Sequence, residues 1–160
     1  MKALKLIVLL FPVVMLSCSK SGKKALESGE YYRAALQAIE KLRKDSDNDK
    51  SLEVLPNAYK LAQEDLLRDI SRAKMANQQF KYERVVDDYA KLNELHDKIE
   101  KCNACRKIVS PDSYFREYED AVEMAATERY EYADALLRRG TIESARTAFE
   151  SFNELIRYAP

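Results

Sequence analysis

Tryptophan is absent from this 160-residue chain, histidine occurs once, and glycine and proline occur only three and four times. A chain so poor in turn-formers, with 34% of its residues charged, is unsuited to the many tight turns of a strand-based fold and favours long solvated helices. No stretch alternates apolar and polar residues between turn signals, so no strand is expected. Charge of one sign is lacking too, since 27 basic residues balance 27 acidic ones. That balance leaves no basic excess to attract nucleic acid and no acidic tail. There is no Ser-His-Asp grouping, no glycine-rich phosphate loop and no metal-ligand spacing, so neither an enzyme nor a cofactor or metal is expected. The length suits one domain whose core needs no staple.

What the chain does have is helical period. Val85, Tyr89, Leu92, His96 and Ile99 recur at steps of four and three. A second stripe runs Phe115, Tyr118, Val122, Ala125, Tyr132 and Leu136, and a third runs Tyr59, Ala62, Leu66, Ile70 and Ala73. Ser28-Gly29, the polar run "KDSDNDKS", "ANQQ" from Ala76, "CNACRKIVSPDS" and Arg139-Gly140 mark the breaks between helices. "CNACRKIVSPDS" is the longest irregular segment, with Ser113 as the candidate N-cap of the next helix. Pro56 lies inside a helical pattern and either kinks that helix or starts a new one. The expected architecture is all-α, with three helix hairpins over roughly 21–44, 49–100 and 113–158.

The turns also resemble one another. After Gly29 stand Tyr31, Ala34 and Ala38 at offsets of two, five and nine; after Gly140 stand Ile142, Ala145 and Phe149. A fainter copy follows Phe80, with Tyr82, Val85 and Tyr89 at the same offsets. In each copy the first residue seats the second helix, the small one lets it approach the first helix, and the third faces the next unit. Stacked helix pairs that cannot bury their apolar faces alone need such residues. The pattern, closed by Pro160, resembles the second half of a tetratricopeptide repeat (TPR), which implies a TPR-like array. The anchors lie 51 and 60 residues apart against a repeat of about 34, so longer helices or inserts are implied. The alternative is an irregular helical bundle.

The N-terminus carries an address. Lys2 and Lys5 precede an apolar run from Leu6 to Leu16 that is too short for a membrane span of about 20 residues and reads as a signal peptide. Met15-Leu16-Ser17-Cys18 resembles the lipobox of bacterial lipoproteins, although Leu16 stands where a small residue is commoner. The resemblance implies cleavage before Cys18, its acylation, and a polar tether over 18–24 ahead of a helical domain over 25–160. Ser19, rather than Asp, after the cysteine implies sorting to the outer membrane, facing the periplasm. Two or more acyl chains hold a protein stably, each buried CH2 contributing about 0.8 kcal/mol. With "ALESGEYYRAALQAIEKL", the chain is similar to envelope TPR lipoproteins without an assigned function.

Three features compete for chemistry. Cys102 and Cys105 form a C-x-x-C, read as a disulfide stiffening a long loop, or as free thiols, or as a thiol–disulfide redox pair. His96 on an apolar stripe reads as a partly buried helix residue. Tyr114, Phe115, Tyr118, Tyr130 and Tyr132 cannot all share one core-facing stripe, so some either line a recognition surface or pack with hydroxyls at the rim. Phe152, Leu155 and Tyr158 end the last unit with an apolar face, predicting a partner or a second copy there. The expectation is a lipid-anchored, non-enzymatic scaffold that binds a protein or peptide, with an envelope redox protein as the alternative.

Overall fold

The computed structural model describes residues 21–158, and every regular element among them is helical. In chain order these are α1 (Lys23–Glu27), α2 (Tyr31–Lys44), α3 (Asp49–Met75), α4 (Lys81–Glu100), α5 (Asn103–Arg106), α6 (Phe115–Leu137) and α7 (Ile142–Leu155), followed by a 3-10 turn at Ile156–Tyr158. The signal segment, Cys18 and Pro160 lie outside the described residues.

Local chemistry sets most boundaries. Gly29 and Gly140 adopt positive φ, 77° and 69°, and end the preceding helices. Asn48 caps α3 by accepting from the Ser51 N–H at 3.1 Å. Thr141 caps α7 in a reciprocal box with Ser144. α3 runs through Pro56 as one helix, so the reading in which Pro56 starts a new element is corrected. The proline lies in the second turn, where it deprives only the Leu52 carbonyl of a helical donor.

Two expectations fail at the long connection after α4. It contains the short helix α5, and Ser113 does not cap α6. The N-cap is Tyr114, whose N–H donates instead to Asn93 Oδ1 on α4 at 3.0 Å. The start of the fold also moves. Gly22 is buried with φ 86°, and a Cβ there would collide with the Ala34 carbonyl oxygen. Residues 22–24, assigned to the tether from the sequence, therefore belong to the folded unit.

Each long helix packs on the one before it: α3 on α2, α4 on α3, α6 on α4 and α7 on α6. Short connections make α2 and α3, α3 and α4, and α6 and α7 antiparallel, and the bonds from Tyr114 to Asn93 and from Tyr82 to Glu128 show the same for α4 and α6 across the longer connection. The α3–α4 hairpin is shared by two cores. Val54, Leu55 and Ala58 of α3 and Leu95 and Ile99 of α4 close a first core with α1, α2 and α5. Leu66 and Ile70 of α3 and Val85, Tyr89 and Leu92 of α4 close a second with Ala121 and Ala125 of α6. A third core, between α6 and α7, holds only Ala133, Leu136 and Ala148 as buried members, with Tyr132 and Phe152 against it.

The repeat positions divide unevenly across these cores. Ala34 and Ala38 are fully buried with Tyr31 half-buried beside them, and the faint copy follows suit, with Val85 and Tyr89 buried and Tyr82 half-buried. The copy after Gly140 breaks the pattern. Ala145 is exposed, Ile142 and Phe149 are 70% and 65% exposed, and the buried residues are Ser144, Ala148 and Ser151. Ala145 therefore does not let α7 approach α6; a face one residue earlier, turned by about 100°, does so. The reason is chemical: Ser144, Ala148 and Ser151 bring the backbones close, and the Ser151 hydroxyl donates to the Arg129 carbonyl at 3.2 Å.

Candidate functional site

The C-x-x-C pair closes the first core. Cys102 and Cys105 are joined by a disulfide, and the Cys105 N–H donates to Cys102 Sγ at 3.3 Å. The two residues are 3% and 0% exposed. Attack on a partner disulfide requires an exposed thiolate, and this pair offers neither exposure nor a free sulfur. His96 is half-buried, its ring edge-on to Phe115 at 5.5 Å and Nδ1 3.3 Å from Asp97 Oδ1. Among the described residues no group of three or more His, Cys, Asp or Glu is placed to hold a metal ion, and no helix is long and apolar enough to cross a membrane.

The tyrosines separate into three places. Tyr114 is a structural residue, which corrects its assignment to a partner surface. Its hydroxyl accepts from Gln63 Nε2 at 2.7 Å and its ring stacks on Tyr89 at 6.1 Å. Gln63 also donates to Asp112 Oδ2 at 2.6 Å, and the Asp112 N–H donates to the Tyr59 hydroxyl at 2.9 Å. Together these bonds pin the segment entering α6 onto α3. Burial pushes the Tyr59 and Tyr114 phenols above their ordinary value.

Tyr130 stands apart on α6, exposed and edge-on to Phe152 at 5.9 Å, with Leu155 half-buried on the same hairpin. Tyr118 and Tyr158, however, share a groove. At one end Ala90, Asn93 and Glu94 of α4 face Phe115 and Tyr118 of α6. At the other end Tyr118, Val122 and Ala126 face Tyr158 and Arg157 of the 3-10 turn. The two cavities share Tyr118, their apolar lining is largely aromatic, and charges of both signs rim them: Glu94, Asp97, Glu119 and Glu123 with Lys98, Lys101 and Arg157. Glu94 is held in place by the Tyr32 hydroxyl and by Lys98 Nζ at 3.6 Å. Burial pushes the Tyr158 phenol upward, and nearby Glu83 and Asp87 add to the shift.

The wall formed by α6 is set by a clasp around the start of α4. Phe80, a bulky residue with φ 58°, precedes α4 in the left-handed region and supplies no side-chain cap. Its ring is covered by the Arg129 guanidinium at 3.7 Å and meets the edge of Tyr132 at 5.1 Å. Arg129 is paired with Glu83, which holds the guanidinium charged, and Glu128 accepts the Tyr82 N–H at 3.2 Å. The carboxylate of α6 therefore supplies the helix-terminal acceptor that Phe80 cannot.

Sequence reasoning found the aromatic members of the groove but missed its α4 side, Ala90 and Glu94. Phe115 was read both as part of a stripe and among the aromatics of which some line a recognition surface or pack at the rim. No family model, curated protein or solved structure matches the chain.

Proposed function

We propose that this chain is a lipid-anchored, non-enzymatic binding module of the bacterial cell envelope that receives a protein or peptide segment in the groove between α4 and α6. The observation that carries the reading is the pair of cavities that share Tyr118, lined by aromatic and aliphatic side chains and rimmed by charges of both signs. Tyrosine combines a large apolar face with a polar tip, which suits a surface that must accept a partner and return to water. A TPR-like array is the finer description we favour. It is supported by three hairpins in chain order and by matching buried positions on α2 and α4, Ala34 and Ala38 against Val85 and Tyr89, each beside a half-buried tyrosine. Cys18, directly after an apolar run, supports acylation at the outer membrane with the body facing the periplasm. The competing redox reading has the burial of Cys102 and Cys105 against it.

In-cell photo-cross-linking tests the proposal. A cross-linker at Tyr118 or Tyr158 is expected to trap one defined neighbour that a cross-linker at the exposed Met75, which lines neither cavity, does not, and Val122→Glu should abolish the adduct. Equal labelling from all three positions would sink the groove. Cys18→Ser is expected to release the protein from membranes; retention there would remove the lipid anchor from the reading.

A further inference from the structure

α7 is amphipathic the wrong way round. Its inward face carries Ser144, Ala148 and Ser151, while Ile142, Phe149 and Ile156 stand 70%, 65% and 67% exposed. With Ala145 and Phe152 these bulky residues are spaced three and four apart, and at 100° per residue all five fall within a sector of about 80°. Tyr130 of α6 widens the strip, since its exposed ring lies against Phe152. Exposed apolar residues scattered singly need no explanation, whereas a contiguous strip marks an interface.

We propose that this strip is the interface of an antiparallel homodimer, formed by α7 packing on α7 of a second copy. The residues carry the two-fold symmetry in their order. With the axis through Phe149, Ile142 falls opposite Ile156 of the second copy, and Ala145 falls opposite Phe152, small against large. This is the self-complementary arrangement that a two-fold interface requires. The spacing is that of a helix–helix seam.

Charge selects both the occupant and its direction. One flank of the strip carries Glu143, Arg146, Glu150 and Arg157; the other is covered by α6. Antiparallel pairing brings like flanks together. It sets Arg146 within a turn of Glu150 of the second copy, close enough for the long guanidinium arm to reach that carboxylate. A parallel copy would bring this flank to the side that α6 covers and form no such pair. A membrane surface is the poorer occupant, because helices lying in the interface carry a polar face rich in Lys and Arg, and this flank has as many acids as bases.

Of these residues only Arg157 also borders the groove, and none of the positions substituted below does, so the dimer and the groove stand or fall separately. The test uses the full chain with Cys18→Ser in mild detergent, where an introduced cysteine is the only free thiol beside the bridged pair. Light scattering is expected to give a dimer. Phe149→Glu should raise its dissociation constant at least about tenfold, since central aromatic contacts carry most of such interfaces, while Met75→Glu leaves it unchanged. Under oxidation Phe149→Cys should cross-link to itself. Ile142→Cys should not, yet it should cross-link when mixed with Ile156→Cys. A monomer, a dimer indifferent to Phe149→Glu, self-cross-linking of Ile142→Cys, or a monomer that floats with anionic vesicles through α7 would each overturn the proposal.

Discussion

Opening the Cys102–Cys105 bridge distinguishes a structural staple from a redox pair, because the two make opposite demands on its energetics. The bridge spans a sequence separation of only 3. Closing so short a loop removes little entropy from the unfolded chain: the loop-entropy relation gives about 2 kcal/mol at 25 °C. Both sulfurs are buried in the first core, so the reduced thiols remain packed against their present neighbours and add little further cost. Reduction is therefore expected to lower the unfolding free energy by about 2 kcal/mol, a shift of roughly 1 M in a urea midpoint, without abolishing the fold. Far-UV circular dichroism of the oxidised and reduced protein across a urea titration measures the shift. Intact mass after exposure of the folded protein to mild thiol measures access. With buried sulfurs, reduction should wait on local opening and accelerate as urea is added. Reduction of the folded protein as fast as that of a short CNAC peptide, independent of urea, would refute this reasoning and restore the thiol–disulfide alternative.

Phe80 tests the clasp. Alanine there keeps a side chain at φ 58° and loses the Arg129 and Tyr132 contacts, whereas glycine loses the contacts and relieves the backbone. Phe80→Gly should therefore be more stable than Phe80→Ala by about 1 kcal/mol in chemical denaturation, the reverse of their order within a helix. Asp88 is buried, with Oδ1 2.7 Å from Lys91 Nζ and Oδ2 without a hydrogen-bond partner. Lys91→Ala should cost about 1–3 kcal/mol by leaving that carboxylate unpaired, and Asp88→Asn in the same chain should recover most of it. Thermal melts of the single and double variants decide the point. Burial raises the Tyr32, Tyr59, Tyr114 and Tyr158 phenols above their ordinary value of 10.0. A proton held more tightly in the folded state stabilises it fully below pH 10 and loses that effect as pH climbs through the raised values. Stability should thus fall from about pH 10 upward, with a shallower fall in Tyr59→Phe; a flat profile there would contradict the burial of these hydroxyls.

Helices were legible in the sequence wherever one local period decided the matter. Val85, Tyr89, Leu92 and Ile99 read as a stripe and are buried as one, because a helix with neighbours on one broad side hides what recurs every three to four residues. Turns were legible where a glycine held the left-handed conformation, as at Gly29 and Gly140. The bend at Phe80 was placed without its cause. A phenylalanine at φ 58° is stabilised by Arg129 and Tyr132, and no window around residue 80 contains either. Ser113 likewise has the chemistry of a cap, but the helix starts one residue later, at Tyr114, whose N–H is held by Asn93 of α4. The groove was only half legible for the same reason, since its α4 wall meets its α6 wall across the disulfide-bearing connection.

α7 shows why periodicity alone leaves orientation open. Its sequence holds two stripes of equal spacing, Ser144-Ala148-Ser151 and Ile142-Ala145-Phe149, and hydropathy favours burying the second. The fold buries the first, because α6 meets it with Ala133 and Leu136 and close approach between backbones demands small residues on both sides. Burying the small face leaves the large one outside. A monomer then forgoes the transfer of Ile142, Phe149 and Ile156 from water, on the order of 1.5–3 kcal/mol for each side chain fully covered. The first two cores gain theirs within one chain, since α3 and α4 are long enough to serve both. The third has no helix beyond α7 among the described residues to play that part. In the proposed dimer the stacking logic that shares α3 and α4 between two cores continues at α7 through a second molecule, which makes the apolar strip the same device carried between chains.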